Sequence, residues 1–175
     1  MNDIRQTYDI AASPAEVWRA LTDPRVIREW SGASAEFPLN VGAAYALWDG
    51  SIGGEIVDVV PMQKLVQTWK PDDWTRTDSV VTFLLTPRGK GTRVDLLHVN
   101  VEESDFDGTS EGWDIYYLGA IKRMFEARAT KPKRAAGKKR NTKIAKGTKA
   151  ARKAIPAKRK TIKKKTAAKK KNARK

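Results

Sequence analysis

The chain has 175 residues and a net charge of +15, from 35 Lys and Arg against 20 Asp and Glu. It has no cysteine, which excludes a disulfide framework, a thiolate zinc site and a cysteine nucleophile. No apolar run of about 18 residues reads as a membrane span, and Met1-Asn2-Asp3-Ile4-Arg5 lacks the basic and apolar regions of a secretory signal.

Residues 3–10 alternate as a strand, with Ile4, Gln6, Tyr8 and Ile10 on one face and Arg5, Thr7 and Asp9 on the other. Ser13-Pro14-Ala15-Glu16 is a helix start: Ser13 caps, Pro14 suits the first turn and Glu16 closes a capping box. Val17, Ala20 and Leu21 form that helix's apolar face, with Trp18 beside it. Asp23-Pro24 opens a second short helix ending near Trp30-Ser31-Gly32. Strands are expected over 44–48 and 52–60 around an Asp49-Gly50 turn, then over 64–69, 79–86 and 92–101. Residues 110–128 read as the longest helix, with Trp113, Tyr117, Ala120, Ile121 and Met124 at helical spacing and Ile115, Leu118 and Phe125 widening the apolar surface. The order predicts an α+β fold, an antiparallel meander with one long helix over a sheet face.

The composition changes after Thr130. Residues 1–130 carry 13 basic and 20 acidic side chains, a net of −7; residues 131–175 carry 22 basic and no acidic ones. The expected organisation is therefore a domain over 1–130 and a basic tail over 131–175, disordered when free because it has too few apolar residues to bury. Such a tail suits a polyanion, and phosphate contacts releasing counterions give non-specific, salt-dependent nucleic-acid binding. The clusters Lys138-Lys139-Arg140, Lys158-Arg159-Lys160, Lys163-Lys164-Lys165 and Lys169-Lys170-Lys171 are the expected contacts. The alternative is a solubilising tail. The expected location is cytoplasmic, with nucleoid association if the tail meets DNA.

Two glycine-rich stretches, Gly50–Gly54 and Gly89–Thr92, lack the rest of a phosphate loop and read as turns. No cofactor or metal spacing is recognisable. The acidic stretch Glu102–Asp107 reads as a solvated loop before the long helix. His98 is the chain's one histidine; it shares a strand face with Val94 and Leu96, which suits a hydrogen-bonded core residue better than a catalyst. Six Trp are many for one domain, and aromatic walls around a space left between sheet and helix would hold an apolar ligand.

The stretch AASPAEVWRALTDPRVIREWSG (11–32) resembles the opening of START-like, or SRPBCC, domains. LWDGSIGGEIVDVVPMQKLVQTWK (47–70), TRVDLLHVNV (92–101) and EGWDIYYLGAIKRMF (111–125) resemble the C-terminal domain of activators of the heat-shock-protein-90 ATPase. The resemblance covers about residues 3–128. It implies a helix-grip, birch-pollen-allergen-like fold with a cavity between sheet and long helix. For function it implies a carrier of hydrophobic ligands, a chaperone accessory, or a small cyclase or hydrolase. The basic tail is similar in composition to histone-like Lys/Ala-rich tails. The expected ligand-binding residues are Trp48, Trp69, Phe83, His98, Trp113, Tyr117 and Ile121, with His98 or Tyr117 orienting a polar group.

Overall fold

A computed structural model of the chain describes residues 2–130. The tail clusters from Lys138 to Lys171 lie outside the described residues.

Strand β1 (Ile4–Ile10) leads into α1 (Pro14–Thr22) and α2 (Pro24–Ser31). The capping box forms as the residue types predict: the Ser13 hydroxyl accepts from the Glu16 N–H, and the Ser13 N–H donates to the Glu16 carboxylate at 2.9 Å. Val17, Ala20 and Leu21 are fully buried. Asp23 caps α2 by accepting from the Arg25 N–H, and Gly32 closes it in the left-handed conformation at φ 76°.

Strands β2 (Ala44–Leu47), β3 (Ile52–Val60), β4 (Lys64–Thr68), β5 (Lys70–Pro71), β6 (Val80–Arg88) and β7 (Gly91–Val99) complete one antiparallel sheet. The order is β1-β7-β6-β4-β3-β2, and β5 pairs with the start of β3. β5 lies outside the expected strands, because two residues, one of them a proline, carry no periodic signal. In β7 the side chains of Thr92, Val94, Leu96 and His98 are buried while their neighbours are half-exposed, which is the alternation expected of a sheet covered on one face.

The covering element is helical from Phe106 to Thr130. It comprises α3 (Phe106–Gly112), a π turn (Trp113–Tyr117) and α4 (Leu118–Thr130). Two details of this element differ from the expectation. Part of the acidic stretch is a 3₁₀ turn at Glu103–Asp105, and the helix starts at Phe106, four residues early, because Asp105 accepts from the Thr109 hydroxyl at 2.8 Å and anchors the first turn. After Tyr117 the buried residues are Leu118, Gly119, Ile121 and Phe125, while Ala120 and Met124, at the centre of the expected stripe, are half-buried. The π turn carries one extra residue, which moves the later apolar positions by one.

Glycine is obligatory at position 54 of β3, where Thr68 passes close. A Cβ at Gly54 would lie 2.3 Å from the Thr68 carbonyl oxygen. Among the described residues no helix is long and apolar enough to cross a membrane.

Candidate functional site

Residues from the first half of the long helix, from β3 and β5, and from the β2–β3 turn enclose a cleft of about 480 Å³. Its walls are mainly aromatic: Trp48, Trp69, Trp113, Tyr116 and Tyr117. Each reaches the cleft for a local reason. Trp48 sits in a turn whose three residues, Trp48, Asp49 and Gly50, all take positive φ of 48°, 57° and 97°. Such a turn is costly for a non-glycine residue. The Asp49 carboxylate holds it by accepting from the Ser34 N–H at 3.0 Å and the Ser34 hydroxyl at 2.6 Å. These bonds also hold the Asp49 carboxyl below its usual range. Trp69 follows β4 on the inward-facing alternate positions Leu65, Gln67 and Trp69. Trp113 and Tyr117 lie four residues apart, at the two ends of the π turn.

Four of the seven expected ligand residues, Trp48, Trp69, Trp113 and Tyr117, therefore meet in one wall, with Trp69 and Trp113 ring centres 4.7 Å apart. Phe83, His98 and Ile121 do not line the cleft and are fully buried behind it. Phe83 stacks on Tyr117 at 5.6 Å and 23°. Sequence reasoning passed over Ile52, Pro71, Asp105, Thr109 and Tyr116, which do line the cleft. The Tyr116-Tyr117 pair was the available signal, but a regular α-helix sends adjacent residues to different faces.

His98 is a structural core residue. Three tryptophans surround its ring, with Trp74 stacked on it at 5.9 Å and 13°. The Trp113 indole N–H donates to His98 Nδ1 at 3.2 Å, and His98 Nε2 meets the Ser79 hydroxyl at 2.7 Å. An indole nitrogen can only donate, so Nδ1 is the acceptor and the proton of the neutral ring sits on Nε2. Burial lowers the His98 pKa to about 3. With both nitrogens engaged and no face on the cleft, His98 supplies no acid–base group there.

Three buried polar atoms have no partner among the described residues: both amide atoms of Gln67 and the Tyr117 hydroxyl. The Tyr45 hydroxyl, near both groups, donates to the Thr68 carbonyl at 2.6 Å. A buried unpaired hydroxyl carries its full desolvation cost. Tyr117→Phe is therefore expected to raise stability by about 1 kcal/mol in thermal unfolding. A loss of similar size would show that the hydroxyl has a water or ligand partner in solution.

The profile of Activator of Hsp90 ATPase homolog 1-like proteins matches residues 11–126, most of the described fold. The chain belongs to that family. An Activator of 90 kDa heat shock protein ATPase homolog from Dictyostelium discoideum is 29% identical over 67% of this chain. The chain spans only 31% of that relative's length. An HSP90 activator from Plasmodium falciparum has a solved structure with a TM-score of 0.66 and 28% identity, covering 71% of this chain and 96% of that one. A protein from Mesorhizobium loti aligns with a TM-score of 0.61 at 28% identity, over 71% of this chain and 97% of its own. The helix-grip architecture implied by the sequence resemblance is thus the architecture of this Activator of Hsp90 ATPase homolog 1-like chain: α+β, an antiparallel sheet under a long C-terminal helix.

Proposed function

We propose that residues 1–130 form a non-catalytic binding module whose cleft takes an apolar small molecule. The supporting observation is the aromatic-walled space of about 480 Å³, within the size range of small-molecule sites. Trp48, Trp69, Trp113 and Tyr117 supply contact area, while Phe83, His98 and Ile121 keep that wall rigid from behind. A neutral fluorescent probe, N-phenyl-1-naphthylamine, is expected to bind the full chain saturably at one site. Trp48→Ala should weaken it about tenfold, a typical loss for an aromatic anchor. Absent or non-saturating fluorescence would overturn the reading.

A second reading is favoured by the names of the relatives. The domain acts on the heat-shock-protein-90 ATPase as an accessory, through its surface. Adding the full chain to a purified chaperone should then raise ATP turnover; unchanged turnover would remove the reading.

The basic tail, on this proposal, tethers the domain to a nucleic acid. If about ten of its cations engage phosphates, log K for duplex DNA falls against log salt with a slope of about −9. Fluorescence anisotropy of the full chain over a salt series measures it, and a slope near zero would exclude the tether.

A further inference from the structure

The cleft has a polarity that an apolar site does not need. Among the described residues lining it, Asp105 is the one carboxylate, and no Lys or Arg lines it. Asp105 is held rigidly. The Trp74 indole N–H donates to Asp105 Oδ2 at 3.0 Å, and the Thr109 hydroxyl donates to the same oxygen at 2.8 Å. Both bonds fall on Oδ2; among the described residues none falls on Oδ1. Asp105 accepts from no backbone N–H of the helix it precedes. Oδ1 lies against Gly108, itself a cleft residue, where a Cβ would come within 2.6 Å of that oxygen. A side chain at 108 would crowd that oxygen.

The walls add to this preference. Trp48, Trp69, Trp113 and Tyr116 surround the same space, and aromatic faces attract cations most strongly when water is excluded. An anion would meet an unneutralised carboxylate with no cation in the lining to offset it.

We infer that the cleft takes an amphiphilic organic cation, an ammonium or quaternary ammonium group beside Asp105 Oδ1 with an apolar body against the tryptophans. This rests on the cleft-binding reading proposed above and adds the charge of the ligand to it.

The test compares two probes of nearly equal shape on the full chain, phenyltrimethylammonium and its neutral isostere tert-butylbenzene, followed by tryptophan fluorescence at low salt. The cation is expected to bind about tenfold more tightly. Asp105→Asn leaves a carbonyl oxygen to accept from Trp74 and Thr109. It should remove that tenfold advantage and leave the neutral probe's affinity unchanged. Gly108→Ala, which crowds Oδ1, should do the same by a different route. Equal affinity of the two probes in the unmodified chain, or an Asp105→Asn variant that keeps the advantage, would overturn the charge preference while cleft binding stands. Binding of neither probe would overturn both.

Discussion

Lowering the pH below 6.5 is expected to destabilise the domain steeply, with His98 as the cause. The unfolded chain takes up a proton on this histidine near its ordinary value of 6.5, whereas the folded chain does not until about 3. Between those values the unfolded state binds more protons, so unfolding becomes easier as pH falls. The slope approaches about 1.4 kcal/mol per pH unit. Across the window the loss approaches roughly 5 kcal/mol, comparable with the whole stability of many domains. The physical origin is twofold. The ring is shielded from water by three tryptophans, and protonating Nδ1 would turn the Trp113 acceptor into a second donor.

The carboxylates act in a separate range. Glu16, Asp23, Asp58 and Asp95 are held below their ordinary values of 4.5 and 3.8 by hydrogen bonds and neighbouring cations. Their stabilising share is present above those values and is lost only as pH falls through the lower, folded-state ones. The upper part of the interval, from pH 6.5 to about 5.5, therefore reports His98, and the chain has no other histidine to confuse it. Urea midpoints at pH 5, 6 and 7 should fall in that order with acidity, and His98→Gln should flatten the dependence. A wild-type midpoint that is the same at pH 5 and pH 7 would contradict a buried neutral ring.

Gly119→Ala should destabilise the long helix, although alanine is ordinarily better than glycine in a helix by about 1 kcal/mol. The π turn brings the Asp114 carbonyl against Gly119, where a Cβ would lie 1.7 Å from the oxygen. The Arg123 guanidinium donates to that carbonyl at 3.3 Å and also to the Ile115 carbonyl, so the widened turn is held from outside as well. An alanine must displace backbone, and the expected loss is about 3 kcal/mol, near the upper end of ordinary single substitutions. In a thermal scan this is a fall of about 10 °C. Gly112→Ala, in the same helix with nothing within 4 Å of its added Cβ, should stabilise by about 1 kcal/mol instead. If the two variants melt alike, the π turn is not what makes Gly119 necessary.

The element order was legible because its signals are local. A capping box spans four residues, and strand alternation in β1 and β7 repeats within a few positions. The reading of 102–107 as a loop holds only for Glu102, since Glu103–Asp105 is a 3₁₀ turn and the helix begins at Phe106; the contact of Asp105 with Trp74, 31 residues away, lies in no window along the chain. The centre of the late helix face lies one residue away from the expected stripe, at Ile121 and Phe125 rather than Ala120 and Met124. Helical periodicity assumes a constant turn, and one wider turn at Trp113–Tyr117 breaks that assumption without a compositional mark.

The candidate site divides in the same way. An excess of aromatic residues on a sheet and on the helix facing it is visible in the sequence, and Trp48, Trp69, Trp113 and Tyr117 do share one wall. Phe83, His98 and Ile121 have equally favourable positions in their own strands or helix, yet pack behind that wall. Inward-facing is a property of one element; wall or backing is a property of several.

The sequence by itself determined the family, the α+β order of elements, the inward faces of β1 and β7, and the separation of a net negative stretch from one that holds 22 cations. Those follow from residue type, short spacing and charge, which need no knowledge of distant neighbours. Only the tertiary structure decided which aromatic side chains meet a cavity, which nitrogen of His98 carries the proton, and that Asp105 borders the tryptophans. Each depends on contacts between residues brought together by the folded sheet and helix, and such contacts leave no periodic trace along the chain.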